Sequence, residues 1–175
     1  MTDWTEAWSR AQGAARVCEL FAAHVGGEPD GVWSAPGRAN LIGEHTDYSG
    51  GLSVPFALPH RTYLALRRRD DDVVRLVSAQ EPGVVWEARL ADLRSVADGP
   101  VDGAPTGWGT YVAGVAWALA QAGHAVTGFE AVVDSCVPYG AGLSSSAALE
   151  SATAVALDDV LGLGLGGTDE GRKAL

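Results

Sequence analysis

The chain has 175 residues, of which 47% are hydrophobic and 19% are charged, a balance that allows a buried core and excludes a disordered chain. Its 12 Lys and Arg against 22 Asp and Glu leave a net charge of −10, so nucleic acid and anionic membranes are poor partners because both attract basic surfaces. This length predicts a single domain.

The N-terminal segment and the two cysteines bear on the cellular compartment. Residues 1–10 are polar and acidic and lack the apolar stretch of a signal peptide. No apolar run reaches the ~18 residues that a membrane span needs. Cys18 and Cys136 form no CxxC pair, so we expect two buried, reduced thiols. These features predict a soluble, cytoplasmic protein.

The first part of the chain predicts a helix and then a short strand. The helix is expected over residues 2–25, capped by Thr2 or Asp3. Its apolar face is expected to carry Trp4, Trp8, Ala11, Ala15, Cys18 and Ala22. The strand is expected over 32–35 and to stop at Pro36, with a loop or short helical turn over 38–51.

The rest of the chain mixes strands and helices without strict βαβ alternation, which predicts an α+β fold. The charged run over 67–72 indicates a solvated hairpin turn. The last long helix is apolar nearly all round, and little sequence follows to cover it, so we expect it to aggregate or to need a partner. The expected strands are 62–69, 73–78, 84–90 and 129–134, and the expected helices are 108–122 and 144–161.

The strongest local motif is VPYGAGLSSSAA at 137–148, between a predicted strand and a predicted helix. Gly140 and Gly142 leave room for a phosphate to approach backbone N–H groups, and the helix start directs further N–H groups to the same place. Serine hydroxyls bind phosphate oxygens or Mg²⁺. The alternative is an ordinary turn with one serine cap, for which three consecutive serines are more than is needed. The loop lacks the lysine of a Walker A motif and does not fit GxGxxG.

A second motif, GRANLIGEHTDY at 37–48, gathers charged and polar side chains. Glu44, His45 and Asp47 lie within four residues, close to Arg38 in sequence. Such side chains suit a ligand with many hydroxyls, such as a sugar. A metal site and a plain solvated loop are the alternatives, although no further His or Cys lies nearby at ligand spacing.

Together the two motifs resemble the GHMP family of small-molecule kinases and, within it, the galactokinases. The resemblance implies the GHMP-kinase N-terminal domain (ribosomal protein S5 domain 2-like), a mixed sheet with packed helices, over residues 1–175. The family's C-terminal half would be absent. It also implies transfer of the ATP γ-phosphoryl group to the anomeric hydroxyl of galactose, with Mg²⁺ as cofactor.

The resemblance assigns site residues by position in the motifs. It implies Arg38 as the group that stabilises transition-state charge and Ser146 as a Mg²⁺ ligand. Ser78 resembles a strand serine that contacts nucleotide in some relatives. The implied sugar contacts are Glu44, His45, Thr46 and Asp47. The implied ATP contacts are Ser78, Gly140, Ala141, Gly142, Leu143, Ser144, Ser145 and Ser146. Among the six tryptophans, Trp33 is the one expected to line a site.

The family's base and its acidic metal ligand are expected downstream of residue 175, and Asp158, Asp159 and Asp169 do not match their motifs. We therefore expect this chain alone to be inactive, with a missing C-terminal half as a candidate partner. Two alternatives remain: a non-catalytic sensor of galactose and ATP, and another GHMP kinase acting on a related substrate.

Overall fold

The computed structural model describes residues 5–43, 46, 49–94 and 106–174. These residues form four α-helices and five strands. In chain order they are α1 (Arg10–His24), β1 (Gly31–Asn40), β2 (Pro55–Arg68), β3 (Val73–Ser78), β4 (Val85–Arg89), α2 (Gly109–Gln121), β5 (Phe129–Ser135), α3 (Ser145–Leu161) and α4 (Asp169–Ala174). No helix among these residues is long and apolar enough to span a bilayer.

The strands form one mixed sheet in the order β1-β2-β5-β3-β4. β3 and β5 are parallel, and the other neighbouring pairs are antiparallel. The mixed sheet with packed helices confirms the predicted α+β class. Because β3 and β5 run in the same direction, Ser78 and Ser135 end them at the same edge of the sheet.

Both faces of the sheet are covered by helices. Successive side chains of a strand point to opposite faces, so β2 serves two cores at once. Leu64 and Leu66 belong to the larger core, to which α2 and α3 contribute. Tyr63 and Ala65 belong to the smaller core, to which α1 contributes.

Helix α1 begins at Arg10, and the prediction of a helix from residue 2 was wrong. Ser9 ends the extended segment before it: the Ser9 hydroxyl accepts from the Gln12 backbone N–H, and the Gln12 side chain accepts from the Ser9 N–H. This capping box satisfies two amides that would otherwise lack partners. The proposed caps Thr2 and Asp3 lie outside the described residues.

The buried face of α1 also differs from the predicted one. Gly13, Val17 and Phe21 are buried, whereas Ala11, Ala15 and Ala22 are exposed. The reason is Tyr63 of β2, whose ring packs directly over Gly13, where any side chain would overlap it. An aromatic ring on the sheet therefore selects the helix face that carries the glycine.

Two predictions for the strands were wrong. β1 does not stop at Pro36 but continues to Asn40, with a register shift between Pro36 and Arg38 that accommodates the interruption. The charged run over 67–72 is not a hairpin turn, because β5 lies between β2 and β3 and pairs with both. Within the run Arg69 pairs with Asp71, whereas Arg67 pairs with Glu130 of β5 and Asp72 pairs with Arg89 of β4.

Helix α3 is covered by this chain, so the expectation of a bare apolar helix was wrong. Ala148, Leu149, Ala152, Ala156 and Leu157 are buried. Leu149, Ala152, Ala156 and Leu157 pack in the larger core with residues of β1, β2 and α2. The outward-facing side of α3 is mostly polar, with Val155 as its one large exposed apolar side chain among the described residues.

Candidate functional site

A cavity of about 330 Å³ opens at the edge of the sheet where the parallel strands β3 and β5 end. The carboxyl ends of parallel strands are a common place for ligand binding, because loops leave the sheet there. Four residues of the predicted ATP set line it together: Ser78, Gly140, Ser145 and Ser146. The other lining residues are Thr62, Gln80, Glu81, Trp108, Tyr111, Val133, Ser135, Val137, Tyr139 and Leu149.

The loop from β5 to α3 borders this cavity and has an unusual backbone. Gly140 and Gly142 have φ of 69° and 70°, the left-handed region that glycine adopts without a steric penalty. Ser144 has φ 57° and is the single non-glycine residue with positive φ in the described part of the chain. A serine in this conformation costs about 1–2 kcal/mol, so the fold holds the turn against an intrinsic preference.

Ser144 does not cap α3, although it occupies the capping position. Its side chain makes no hydrogen bond to the first turn of the helix. The ordinary serine-capped turn, which the sequence left as an alternative, is therefore not what forms here. The first-turn N–H groups of a helix carry partial positive charge and favour an anionic ligand.

The two sequence motifs meet at this loop. The backbone N–H of Arg38, near the end of β1, donates to the carbonyl oxygen of Leu143 at 3.1 Å. A Cβ on Gly37 would lie 2.8 Å from that same oxygen, so the absence of a side chain at residue 37 permits the contact. The end of β1 and the loop are about a hundred residues apart in sequence but adjacent in the fold.

The segment that follows β1 carries the predicted sugar contacts. Glu44, His45 and Asp47 lie outside the described residues. Thr46 is described. Its hydroxyl proton points towards two carbonyl oxygens, that of Gly43 at 2.6 Å and that of Leu52 at 2.9 Å. These bonds close the loop after β1, while the Thr46 oxygen keeps its lone pairs.

Behind Ser78 lies a polar network that sequence reasoning missed. The Gln80 side chain donates to Asp134 Oδ1 at 2.9 Å, and Ser78 Oγ donates to Gln80 Oε1 at 3.2 Å. Asp134 is 1% exposed and pairs with Arg16 of α1. Asp134 is one of two buried carboxylates of β5, with Glu130, and each pairs with an arginine, as a buried charge requires.

The apolar wall of the cavity was also missed, since Trp33 was the tryptophan expected at a site. Trp33 instead donates its indole N–H to Asp159 at 3.1 Å, joining β1 to the end of α3. Trp108, directly before α2, and Tyr111, in the first turn of α2, line the cavity. The indole Nε1 of Trp108 is buried and has no hydrogen-bond partner in the described part of the chain, so a ligand acceptor could satisfy it.

Ionisable groups near the loop are sparse. Burial raises the pKa of the Glu150 carboxyl, on the second turn of α3. The described residues contain no group of three or more His, Cys, Asp or Glu that could hold a metal. The three residues of the suggested metal site, Glu44, His45 and Asp47, fall outside that part.

The downstream aspartates have structural partners. Asp158 accepts from the backbone N–H groups of Leu165 and Gly166, and Asp169 pairs with Arg172. Both cysteines are free thiols, with Cys136 buried and Cys18 partly exposed, so the expectation that both are buried holds only for Cys136. None of these groups lines the cavity.

Comparison with known proteins agrees with this arrangement. The galactokinase galactose-binding signature matches residues 19–68, and the N-terminal domain of GHMP kinases matches residues 110–171. Galactokinase of Streptomyces coelicolor is 51% identical over 154 residues, and that of Streptomyces lividans is 47% identical over 131. Over the residues matched, this chain is similar to galactokinases.

The structural comparison places the fold in the same kinase family. Lactococcus lactis galactokinase, solved in complex with galactose, superposes with a TM-score of 0.70 at 36% identity. That match covers 90% of this chain and 40% of the solved one. The Streptomyces matches cover 88% and 75% of this chain but 38% and 31% of those relatives. This chain thus has the N-terminal fold of GHMP kinases and spans well under half the length of its relatives.

Proposed function

We propose that this chain forms the nucleotide-binding side, and part of the sugar-binding side, of a galactokinase. The reaction joins the anomeric oxygen of galactose to the γ-phosphorus of ATP and breaks the bond from that phosphorus to the β–γ bridging oxygen. The observation that carries the proposal is the hydrogen bond from Arg38 to Leu143, which brings the galactose-signature strand against the glycine–serine loop.

ATP would lie along the edge where β3 and β5 end. Its phosphates would meet the N–H groups of the loop and of the first turn of α3, with Gly140, Ala141, Gly142, Leu143, Ser144, Ser145 and Ser146 as the contacts. Its base would occupy the cavity between Ser78 and the aromatic side chains of Trp108 and Tyr111. This placement offers an acceptor group to the buried Trp108 N–H.

The sugar would lie on the Arg38 side of the loop. Glu44, His45 and Asp47, with Thr46 in the same segment, would accept and donate to the galactose hydroxyls, and a misplaced hydroxyl would leave one of these groups unpaired. The fixed positive charge of Arg38 would stabilise the charge that develops on the transferring phosphoryl group.

The phosphates of the nucleotide would supply most of the ligands of a bound Mg²⁺, because the described residues offer no cluster of acidic, His or Cys side chains for it. Ser146 lines the cavity and offers a hydroxyl oxygen, the kind of ligand that Mg²⁺ prefers, and such ions commonly keep several waters and bind substrate phosphates. When bound, Mg²⁺ would neutralise charge on the phosphates. The chain's own groups would position the ion and the phosphates.

The proposal treats residues 1–175 as one GHMP N-terminal domain, with 37–48 as the sugar segment and 137–148 as the ATP loop. The base that removes the proton from the anomeric hydroxyl would come from the part of the longer relatives that this chain does not span. A cytoplasmic location agrees with two free cysteines, because reducing compartments keep thiols unpaired.

The test is phosphorus NMR of this chain with Mg²⁺, ATP and galactose, with glucose as the control sugar, alongside calorimetric binding of each ligand. We expect MgATP to bind and no galactose 1-phosphate to form. Product from the 175-residue chain would place the base within it and contradict the proposed division of the site.

The same measurement separates the alternatives. Binding of galactose and ATP without product, both by this chain and by a relative of full length carrying its residues, favours a sensor. A panel of related sugars and mevalonate-like acceptors tests another GHMP kinase. The galactose-binding signature at residues 19–68 favours galactose.

A further inference from the structure

The last part of β1 and the first part of β2 form a two-stranded ribbon that extends past the rest of the sheet. Strand β2 pairs with β5 only over residues 62–68, whereas residues 55–57 of β2 pair with β1 alone. Beyond the strands the contact continues, because the Leu41 N–H donates to the Val54 carbonyl oxygen at 2.9 Å. An isolated pair of strands is marginally stable in water, so a ribbon of this kind needs further structure packed on it.

The end of this ribbon is apolar and open to solvent. It carries five of the ten large hydrophobic side chains that are exposed among the described residues. These five, here called the ribbon end, are Leu41, Ile42, Leu52, Val54 and Phe56. Their exposed fractions run from 48% to 96%, and the segments 39–43 and 52–59 contain no charged residue. A concentrated apolar patch on a soluble domain marks an interaction surface.

The relatives contain polypeptide that can cover the ribbon end. The match to Streptomyces coelicolor galactokinase covers 88% of this chain but 38% of that relative, so more than half of the relative has no counterpart here. The proposed function takes the base from that same part, which must therefore approach the anomeric hydroxyl of galactose. The ribbon end flanks the proposed sugar contacts at 44–47 on both sides in sequence, so the part that supplies the base arrives beside it.

We infer that the ribbon end is the docking surface for the part of the galactokinase polypeptide that this chain does not span. This docking rests on the proposed function, which assigns the base to that part. Permanent interfaces are more hydrophobic than transient ones, and an uncharged apolar surface fits a permanent one. A second copy of this chain fits less well, because each copy carries a net charge of −10 and two copies repel one another.

The test measures the reactivity of engineered thiols in two proteins. One is this chain, and the other is a chimera in which this chain is followed by the part of Streptomyces coelicolor galactokinase beyond the match. Val54→Cys and Val155→Cys form a matched pair, because the two valines are 52% and 49% exposed and Val155 lies on α3. Cys18→Ser removes the partly exposed native thiol from both proteins, and Cys136 is buried.

In this chain the two engineered thiols should react with an aromatic disulfide reagent at rates within about threefold of each other, because reactivity follows exposure. In the chimera Val54→Cys should react at least about tenfold more slowly, and Val155→Cys should keep its rate. An unchanged rate for Val54→Cys, or equal slowing of both thiols, overturns the inference. Slow reaction of Val54→Cys in this chain that becomes faster on dilution assigns the surface to a second copy and also overturns it.

Phe56→Asp provides a second measurement that needs no engineered thiol. Phe56 is 48% exposed, so the substitution should leave the thermal unfolding of this chain nearly unchanged. In the chimera it should lower the unfolding midpoint by at least about 2 °C, because it places a charge in an apolar interface. An equally small effect in both proteins overturns the inference.

Calorimetric binding of MgATP to this chain tests the proposed function separately, because no residue of the ribbon end lines the nucleotide cavity. If MgATP does not bind but Val54→Cys is protected in the chimera, the nucleotide site fails and the docking surface stands. If MgATP binds and Val54→Cys is not protected, the docking surface fails and the nucleotide site stands.

Discussion

Arg38 and Leu143 are joined through their backbones: the Arg38 N–H donates to the Leu143 carbonyl oxygen at 3.1 Å. One end of this bond belongs to β1, which leads into the sugar segment, and the other belongs to the loop that precedes α3. This hydrogen bond between main-chain groups sets the separation of the two segments, and the lack of a side chain at Gly37 permits it. The relative placement of the two motifs is thus set by strand and loop geometry.

Replacing Gly37 should disturb this join. In Gly37→Ala, the added Cβ would lie 2.8 Å from the Leu143 oxygen, so the loop must move away. We expect MgATP affinity to fall roughly fivefold, in line with the net value of one hydrogen bond. Calorimetry measures this, with Gly114→Ala as the control because nothing lies within 4 Å of its added Cβ. Unchanged affinity in Gly37→Ala would show that the loop position does not depend on β1.

The left-handed backbone at Ser144 predicts a stabilising substitution at the site. Glycine adopts φ near 57° without a steric penalty, so Ser144→Gly should raise the free energy of unfolding by about 0.5–1 kcal/mol. Ser144→Ala removes the same hydroxyl but keeps the strain, which isolates the backbone effect. Urea unfolding measures both variants. Equal stabilities for the Gly and Ala variants would contradict a strained turn.

Two helical glycines should respond to alanine in opposite directions. Gly13 faces the Tyr63 ring so closely that any Cβ overlaps it, and Gly13→Ala should cost about 1–3 kcal/mol. Gly114 is exposed on α2 with open space around it, and Gly114→Ala should stabilise by up to about 1 kcal/mol. Thermal unfolding measures both, and a stable Gly13→Ala chain would contradict the packing of α1 against β2.

The ion pair between Arg69 and Asp71 predicts a small acid dependence of stability. The Arg69 guanidinium, which donates to the Asp71 carboxylate, lowers the pKa of Asp71 from 3.8 to about 2. The stabilisation is complete above the unfolded pKa and is lost as the pH falls from about 4 to about 2. In Asp71→Asn this dependence should disappear.

The measurement is the urea midpoint of wild type and variant at pH 5 and at pH 2. The difference in urea midpoint between wild type and Asp71→Asn should become slightly smaller at pH 2. The change should be small because both side chains are partly exposed and solvent screens the pair. Asp70→Asn removes an equal charge from the same turn and controls for net charge. A gap that widens on acidification would contradict the pairing.

Elements with a clear local signal were predicted well. The β-branched run over Val73–Ser78 forms β3 with the predicted bounds, because side-chain alternation and the flanking turn residues are properties of that segment alone. The turn before α3, over residues 140–144, was also predicted locally, because glycine and serine favour a turn in any context. The capping box at Ser9 and Gln12 is equally local and would have corrected the start of α1.

The residues that complete the cavity have no such signal. Gln80 and Trp108 line the cavity from two separate segments, and neither is distinctive within its own segment. Asp134, which holds the Gln80 side chain, comes from a third segment. They meet because β5 lies between β2 and β3 in the sheet. The charged run at 67–72 suggested instead that β2 pairs directly with β3.

The sequence by itself determined the α+β class, the two motifs and the kinase family that they resemble, since each rests on neighbouring residues. Only the tertiary structure decided the order of the strands, the face of α1 that is buried and the network behind Ser78. Those features depend on contacts between distant segments, such as Tyr63 over Gly13 and Asp134 against Gln80. Contacts of this kind form only once the whole sheet is assembled.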